Sequence, residues 1–217
     1  MKLPVIILGA GGHAKVLIAT LLLLQRQILG ITEVNKQKQG DYLSGIPIIG
    51  DDEAILKYKP DEIELANGVG SVGLPKNRMD IYQKCKRQGY RFASIVHPSA
   101  MVMNDVQLGE GVQIMAGSII QTGCRIGDNT IINTGAVVDH DCAIGDHVHV
   151  APGVVISGDV HIGAMTHVGT SATVIQGVKI GQNSIIGAGA VVITDIPSGV
   201  KAFGVPARIT QQGNRNG

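Results

Sequence analysis

Every sixth residue from Val102 to Val192 is aliphatic: Val102, Leu108, Ile114, Ile120, Ile126, Ile132, Val138, Ile144, Val150, Ile156, Ile162, Val168, Val174, Ile180, Ile186 and Val192. Two positions before each lies a second file, all small or β-branched, running from Ala100 and Val106 through Cys124, Thr130, Ala136 and Cys142 to Ser184 and Ala190. An amphipathic helix needs a period of 3.6, and a strand paired in hairpins keeps no single period this long. A sustained hexad is the signature of a parallel β-helix. The stretch is therefore expected to fold as a three-sided prism of short strands.

Glycine follows the aliphatic position at Gly109, Gly127, Gly145, Gly163 and Gly181, in steps of eighteen. Three hexads then make one coil, and residues eighteen apart stack at the ~4.8 Å spacing of paired strands. That register puts His149 over His167 and Cys124 over Cys142. The glycines are expected to supply turn conformations at a corner.

The chain has 217 residues, enough for one domain or two small ones. Thirty glycines, two Phe and no Trp suit an interior too narrow for large rings. A net charge of +1, spread along the chain, leaves no basic stripe for nucleic acid and no polybasic anchor for a membrane, and neither partner is expected. Three cysteines, two of them in the inward small file, read as packed thiols of a reducing compartment. The first residues read as a strand and not as a signal peptide. The longest apolar run, Val16 to Leu24, is about half of the ~18 residues a membrane span requires. A cytoplasmic protein is expected.

Residues 1–95 follow another pattern. The apolar run Val5 to Leu8 leads into Gly9-Ala10-Gly11-Gly12-His13-Ala14 and then a helix-like segment to Gln25. Further strands are expected over Gln27–Thr32, Gly45–Ile49 and Glu62–Ala66, with helices near Asp51–Lys57 and Asn77–Arg87. Alternation at these lengths implies a small parallel sheet. Gly9, Gly11 and Ala14 fit G-x-G-x-x-G/A, and Glu33 ends the second strand about twenty residues on. In that setting helix N–H groups face an anion and the acid meets a ribose hydroxyl. About 90 residues hold only one mononucleotide half, which favours a nucleotide or nucleotide-linked ligand over a dinucleotide. A tight turn with no ligand is the other reading. The hexads start beyond His97-Pro98, and the end of the chain from Gln211 is expected to fray.

The hexads, Asn133-Thr134, Val138-Asp139-His140-Asp141, Ile186 to Val192 and the closing Gly204-Val205-Pro206-Ala207 resemble the hexapeptide-repeat acyltransferases. With the Gly-Ala-Gly-Gly-His opening, the resemblance is to nucleotide-sugar N-acetyltransferases and sialic acid O-acetyltransferases of the PglD and NeuD kind, over nearly the whole chain. It implies a Rossmann-like α/β domain over 1–95, a left-handed parallel β-helix over 96–200, and a coenzyme-contacting segment and tail over 201–217. It further implies a homotrimer with acetyl-CoA between neighbouring prisms, a nucleotide-linked amino sugar on the front domain, and acetyl transfer to its amine in the making of surface glycans.

The same resemblance makes His140 the general base and Asp141 the acid behind it, where some relatives carry the longer Glu. A carboxylate beside an imidazole raises its basicity and fixes its tautomer. Without the resemblance, a solvated corner histidine is an equal reading. Asn133 is expected to hold the amine, or else to be a polar turn residue. His149 is expected to donate to the thioester carbonyl, with Gly158, Thr170 and Ala188 along the pantetheine path. Gly11, Gly12, His13 and Gly68 are expected around the phosphates or sugar. Glu33-Val34 stands where close relatives have two aspartates, which leaves the base and sugar open. Three alternatives remain: O-acetylation of a sialic acid, a zinc-bearing prism like the γ-carbonic anhydrases using His149 and His167, and a noncatalytic scaffold. No metal is expected in the favoured reading.

Overall fold

The computed structural model describes residues 2–212. In the front domain, β1 (Val5–Leu8) is followed by α1 (Gly12–Leu23), β2 (Ile28–Thr32), β3 (Tyr42–Leu43), β4 (Ile46–Gly50), β5 (Glu64–Asn67) and α2 (Lys76–Arg87). The sheet order is β3-β4-β2-β1-β5. β1 is fully buried between β2 and β5, which explains its unbroken apolar run. Helix α1 buries Ala14, Leu17, Ile18 and Leu21, one stripe at helical spacing. Gly9 turns the chain between β1 and α1 at φ 89, and a Cβ there would also strike Val69.

Two expectations are corrected here. The sheet is not wholly parallel, because β3 returns antiparallel to β4 through Ser44-Gly45, both at positive φ. The segment Asp52–Lys57 is a 3-10 helix, capped by the Asp51 carboxylate on Glu53 N.

From Ile95 the chain winds a left-handed β-helix with three faces, each strand two residues long. The first face stacks Met101–Val102, Ile119–Ile120, Val137–Val138, Val155–Ile156, Thr173–Val174 and Val191–Val192. The second runs from Gln107–Leu108 to Lys179–Ile180. The third runs from Ile95–Val96 through Gln113–Ile114, Ile131–Ile132, His149–Val150 and His167–Val168 to Ile185–Ile186. Each strand pairs with the strand eighteen residues on, as in Ile131 with His149 and His149 with His167. The aliphatic file fills the interior, fully buried from Ile114 onward, whereas Val102 and Leu108 in the first coil are partly exposed.

The small inner file has its own pattern of bonds. Thr130 donates to Gly145 O at 2.8 Å, Cys124 to Asp139 O at 3.0 Å, Cys142 to Ser157 O at 3.2 Å and Thr166 to Gly181 O at 2.8 Å. Each reaches fifteen residues ahead to the next coil, Ser184 reaches thirteen ahead to Pro197 O and Ser118 donates back to Met115 O, so the file accepts Ser, Thr and Cys because a carbonyl meets every donor. The cysteines are free and buried.

The eighteen-step glycines do not make the turns. None has positive φ; that conformation belongs to every sixth residue from Gly111 to Gly189, including Asn129, Asp141, His147, Asp159, Met165, Ser171 and Asn183. The glycines are required by close stacking: a Cβ on Gly127 would lie 2.6 Å from Asp146 N, and one on Gly145 2.7 Å from Ala164 N.

The outward residue of each strand gives the faces different surfaces. On the first face these are Met101, Ile119, Val137, Val155, Thr173 and Val191, an apolar stripe on which Met101 is 54% and Val155 42% exposed. On the second they are Gln107, Arg125, Ala143, His161 and Lys179. On the third, Gln113, Ile131 and His149 are buried. His13 of α1 meets Gln113 at 2.7 Å across the boundary between the front domain and the third face.

The adjoining corner docks α2. Buried Arg78 donates from Nε to Asn129 O and from Nη1 to Asn67 O and Val69 O. Lys86 pairs with Glu110 at 2.6 Å and Tyr82 donates to Asp128. The third-face sheet continues through Val200–Phe203 and the antiparallel Arg208–Gln212. Gln211 and Gln212 therefore lie in a strand, while the remainder of the expected frayed tail, 213–217, is outside the described residues. Among the described residues no helix is long and apolar enough to cross a membrane.

Candidate active site

Front domain and prism enclose a cavity of about 680 Å³. The front-domain end is lined by the glycine turn from Gly9 to His13, by Glu33, Val34 and Asp52 and by the loop from Gly68 to Val72, and the prism end by Asn133, Thr134, His149 and Pro152. Gly11 caps α1 in an extended conformation without a side-chain bond, so the first N–H groups of the helix are left for an anion. Gly68 is glycine because β5 ends against β1, where a Cβ would lie 2.9 Å from Leu8 O.

Glu33 is held by Ala10 N at 3.2 Å and Asn35 N at 3.0 Å, which fixes it between the turn and the loop after β2. Asp52, absent from the sequence reading, joins it through a 2.6 Å bond from Thr32 Oγ1. Carboxylate acceptors at that end match the hydroxyl and amino donors of a nucleoside. His13 donates from Nε2 to Gln113 Oε1, whose own amide donates to Asn67 O at 2.9 Å. Burial, aided by the Arg78 charge, lowers the His13 pKa to about 4. It is thus a neutral wall of the cavity and not a cationic clamp for phosphate.

At the prism end, His149 contacts Ser71 Oγ through Nδ1 at 2.7 Å and Asn133 Nδ2 through Nε2 at 3.2 Å. Burial, then the neighbouring His167, His13 and Arg78 charges, push its pKa down to about 3, with the Ser71 backbone pulling the other way. Its ring lines the cavity with both nitrogens in hydrogen-bonding contact. Asn133 Oδ1 accepts from Thr134 N at 2.8 Å, and the second hydrogen of its amide is left for a ligand.

His140 stands at the corner between the first and second faces, 47% exposed, outside this cavity. Its Nδ1 meets Asp141 Oδ2 at 2.8 Å, so the short aspartate does reach the ring. Asp141 manages this from φ 61, one of the left-handed corner positions. Asp139 Oδ1 accepts from His140 N at 2.8 Å and steadies the backbone. The Asp141 bond, then the charges of Asp139 and Asp141, raise the His140 pKa despite some desolvation. With Nδ1–H given to the carboxylate, Nε2 carries the free lone pair.

Gly158, eighteen residues beyond His140, lies against this ring, where a Cβ would be 2.5 Å from Nε2. Thr170 and Ala188 are exposed at the opposite edge of the first face. The structure thus brings Gly11, Gly12, His13, Glu33, Gly68, Asn133 and His149 together. It groups His140, Asp141 and Gly158 elsewhere. Six residues lie between Asn133 and His140, and a strand of the first face, Val137–Val138, runs from the corner of one to the corner of the other. The His149 and His167 rings meet edge to face at 5.0 Å, and among the described residues no three His, Cys, Asp or Glu side chains are grouped to hold a metal ion.

Known proteins match both parts of the chain. The PglD N-terminal domain family covers residues 4–85, and bacterial transferase hexapeptide repeats cover 105–140, 123–158 and 159–194. No curated protein sequence matches. Among solved structures, a histidine-to-asparagine mutant of perosamine N-acetyltransferase from Caulobacter crescentus, in complex with CoA and GDP-perosamine, is 39% identical, with 96% of this chain and 97% of that one covered and a TM-score of 0.89. The acetyltransferase domain of PglB from Neisseria gonorrhoeae, in complex with acetyl coenzyme A, is 31% identical, with 97% and 100% covered and a TM-score of 0.88. WeeI from Acinetobacter baumannii, at 24% identity and a TM-score of 0.85 over 96% and 100%, shares the fold. The chain belongs to the PglD-like, hexapeptide-repeat family of acetyl-CoA-dependent nucleotide-sugar acetyltransferases.

Proposed function

We propose that this protein transfers the acetyl group of acetyl-CoA to the amino group of a nucleotide-linked 4-amino-4,6-dideoxy sugar, at sites completed between the copies of a homotrimer. The observation that carries this reading is the separation of base from cavity. His140 and Asp141 sit exposed at one edge of the first face, while the cavity opens at the other edge beside Asn133 and Pro152. The face between them is an exposed apolar stripe, the kind of surface that marks an interface. Packing that stripe against a second copy brings the edge of one chain to the opposite edge of the next.

At such a junction Gly158 of one copy faces Thr170 and Ala188 of another, and together these small residues suit a narrow pantetheine path. Val200–Phe203 stacks on Ile185–Ile186 at this end of the prism, and the last segment, 201–217, is assigned to the coenzyme. The amine nitrogen attacks the thioester carbonyl carbon while His140 Nε2 takes a proton from it. The carbon–sulfur bond then breaks, and the departing thiolate receives the proton back from His140. The Gly158 N–H, beside the ring and without a backbone acceptor among the described residues, is the donor nearest the developing oxyanion. Glu33 and Asp52 take the nucleoside, and their charge disfavours a free acidic sugar such as sialic acid. The acetamido sugar would enter surface glycans made from cytoplasmic precursors.

GDP-perosamine, bound by the Caulobacter relative, is the first acceptor to test. Purified protein with acetyl-CoA and GDP-perosamine, followed by thiol release, is expected to turn over. His140→Ala should lose about 10²- to 10⁴-fold in kcat. Unimpaired transfer by that variant removes the base, and a wild type inactive on every amino-sugar nucleotide sinks the reading.

A further inference from the structure

The contact between Ser71 and His149 resembles a nucleophile with its base, yet the hydrogen bonds around it run the wrong way for that. Asn133 Oδ1 accepts from Thr134 N at 2.8 Å, which turns the amide nitrogen toward His149. An amide N–H can only donate, so His149 Nε2 must accept. A neutral imidazole then carries its hydrogen on Nδ1, and Nδ1 lies 2.7 Å from Ser71 Oγ. Burial keeps the ring neutral, with a pKa of about 3. His149 therefore gives a hydrogen to Ser71 and does not take one, which leaves the serine hydrogen to point elsewhere.

Where it points is limited by the cavity. Ser71 belongs to the loop after β5, lines the cavity together with Asn133, Thr134 and Pro152, and touches the prism through His149. With the nucleoside on Glu33 and Asp52 of the front domain, the sugar is the part of the ligand that reaches the prism, where Ser71 meets His149. Resting on the acetyltransferase reading of this cavity, we infer that Ser71 donates its hydroxyl hydrogen to an oxygen of the bound amino-sugar residue, and that Asn133 and His149 are positioning residues which fix the direction of that bond. The relay runs from Thr134 N–H through Asn133 and His149 to Ser71, every link directed toward the ligand. It turns a serine that could either donate or accept into a committed donor. Ser71 is thereby a specificity residue: a sugar presenting an oxygen acceptor at this point is favoured over one presenting a second donor.

The test is a comparison of wild type, Ser71→Ala and Ser71→Thr with GDP-perosamine and with GDP alone. Loss of one neutral hydrogen bond is worth about threefold to tenfold. Ser71→Ala should raise the KM for GDP-perosamine by that factor, with the effect on KM and not on kcat, while the calorimetric Kd for GDP moves less than twofold. Ser71→Thr, which keeps the hydroxyl, should recover most of the loss. Long-range proton–nitrogen NMR of the wild type at neutral pH should show His149 as the Nδ1–H tautomer. A KM within twofold of wild type for Ser71→Ala, an equal weakening toward GDP, or an Nε2–H tautomer overturns the proposal. If wild type binds GDP-perosamine without acetylating it, transfer to this sugar fails while the affinity comparison still judges Ser71. Failure to bind it at all overturns the Ser71 contact, and transfer is then judged with other amino-sugar nucleotides.

Discussion

The imidazole of His140 stands against Gly158 on the following coil, with Nε2 only 2.5 Å from the place a Cβ would occupy. The neighbour on the other side is also glycine: Gly123, eighteen residues before Asp141, where a Cβ would meet the Asp141 carboxylate. The acid–base pair thus lies between two positions with no side chain. Gly158→Ala should push the ring aside at small cost in stability, because the displaced group is the exposed end of a side chain. Expected is a fall in kcat of about tenfold to a hundredfold, part of what a placed base contributes, with a melting temperature close to that of wild type. Wild-type kcat in this variant would separate the ring position from catalysis.

The pH profile should report the Asp141 bond. His140 must be unprotonated to accept a proton, and Asp141 raises its pKa by bonding the charged form. Activity should therefore rise through a pKa above the ordinary histidine value. Asp141→Asn removes that preference, so the acidic limb of kcat against pH should move to lower pH while its plateau falls. An unmoved limb would mean that another group is titrating.

A site shared between copies predicts complementation. Val155→Asp, on the exposed apolar stripe, should lower the mass measured by sedimentation and abolish transfer together. Gly12 has open space where a side chain would go, so Gly12→Phe should fill the cavity without disturbing the prism. Co-expressed with His140→Ala, it should restore part of the activity that each variant lacks alone. No recovery in verified mixed oligomers would place base and substrate on one chain.

Acid should weaken the junction between the domains. His13 and His149 have folded pKa values of about 4 and about 3, below the ordinary 6.5, since burial penalises their charged forms. The unfolded chain binds these protons first, so the stabilising effect is complete above pH 6.5 and is lost as pH falls toward 4 and 3. Each histidine should cost about 1.4 kcal/mol per pH unit in that window. Urea unfolding between pH 7 and 4.5 measures it, and His149→Gln should flatten the slope.

The stacking glycines make a separate claim. In Gly145→Ala the new methyl meets backbone, 2.7 Å from Ala164 N and 3.1 Å from Ile162 O, and neither can swing away. A loss of about 2 to 3 kcal/mol is expected from such overpacking. Gly117→Ala, with nothing within 4 Å, costs only what its φ of 67 imposes. Equal unfolding curves for the two variants would refute the distinction.

The prism was legible because its rule is local: one aliphatic residue in six, renewed in three, fixes both the inward file and which residues stack. Gly158 against His140 follows from the same arithmetic. The corner conformation was not legible, since Asn129, Asp141, His147, Met165 and Ser171 occupy it as well as glycines, and no residue type flags it. The short β3 carries too few residues for a period. The cavity was read from the glycine turn, Glu33, Gly68 and Asn133, whereas Asp52 and Ser71 were not read. Ser71 reaches His149 across 78 residues of sequence and Arg78 reaches Asn129 across 51, contacts set by how α2 and the loop before it dock, which no spacing encodes. The hexad position of His149 gave its face, but not the domain lying over it.

The three unlike faces restrict how this chain can change in length. Removing eighteen residues, one whole coil, would shorten the prism and leave every downstream side chain on its own face. Removing six would keep the interior aliphatic but rotate everything beyond by a third of a turn, so that Arg125, His161 and Lys179 type positions would take over the apolar side and the valines would move to the third face. Length variants that still assemble should therefore differ from this chain by whole coils.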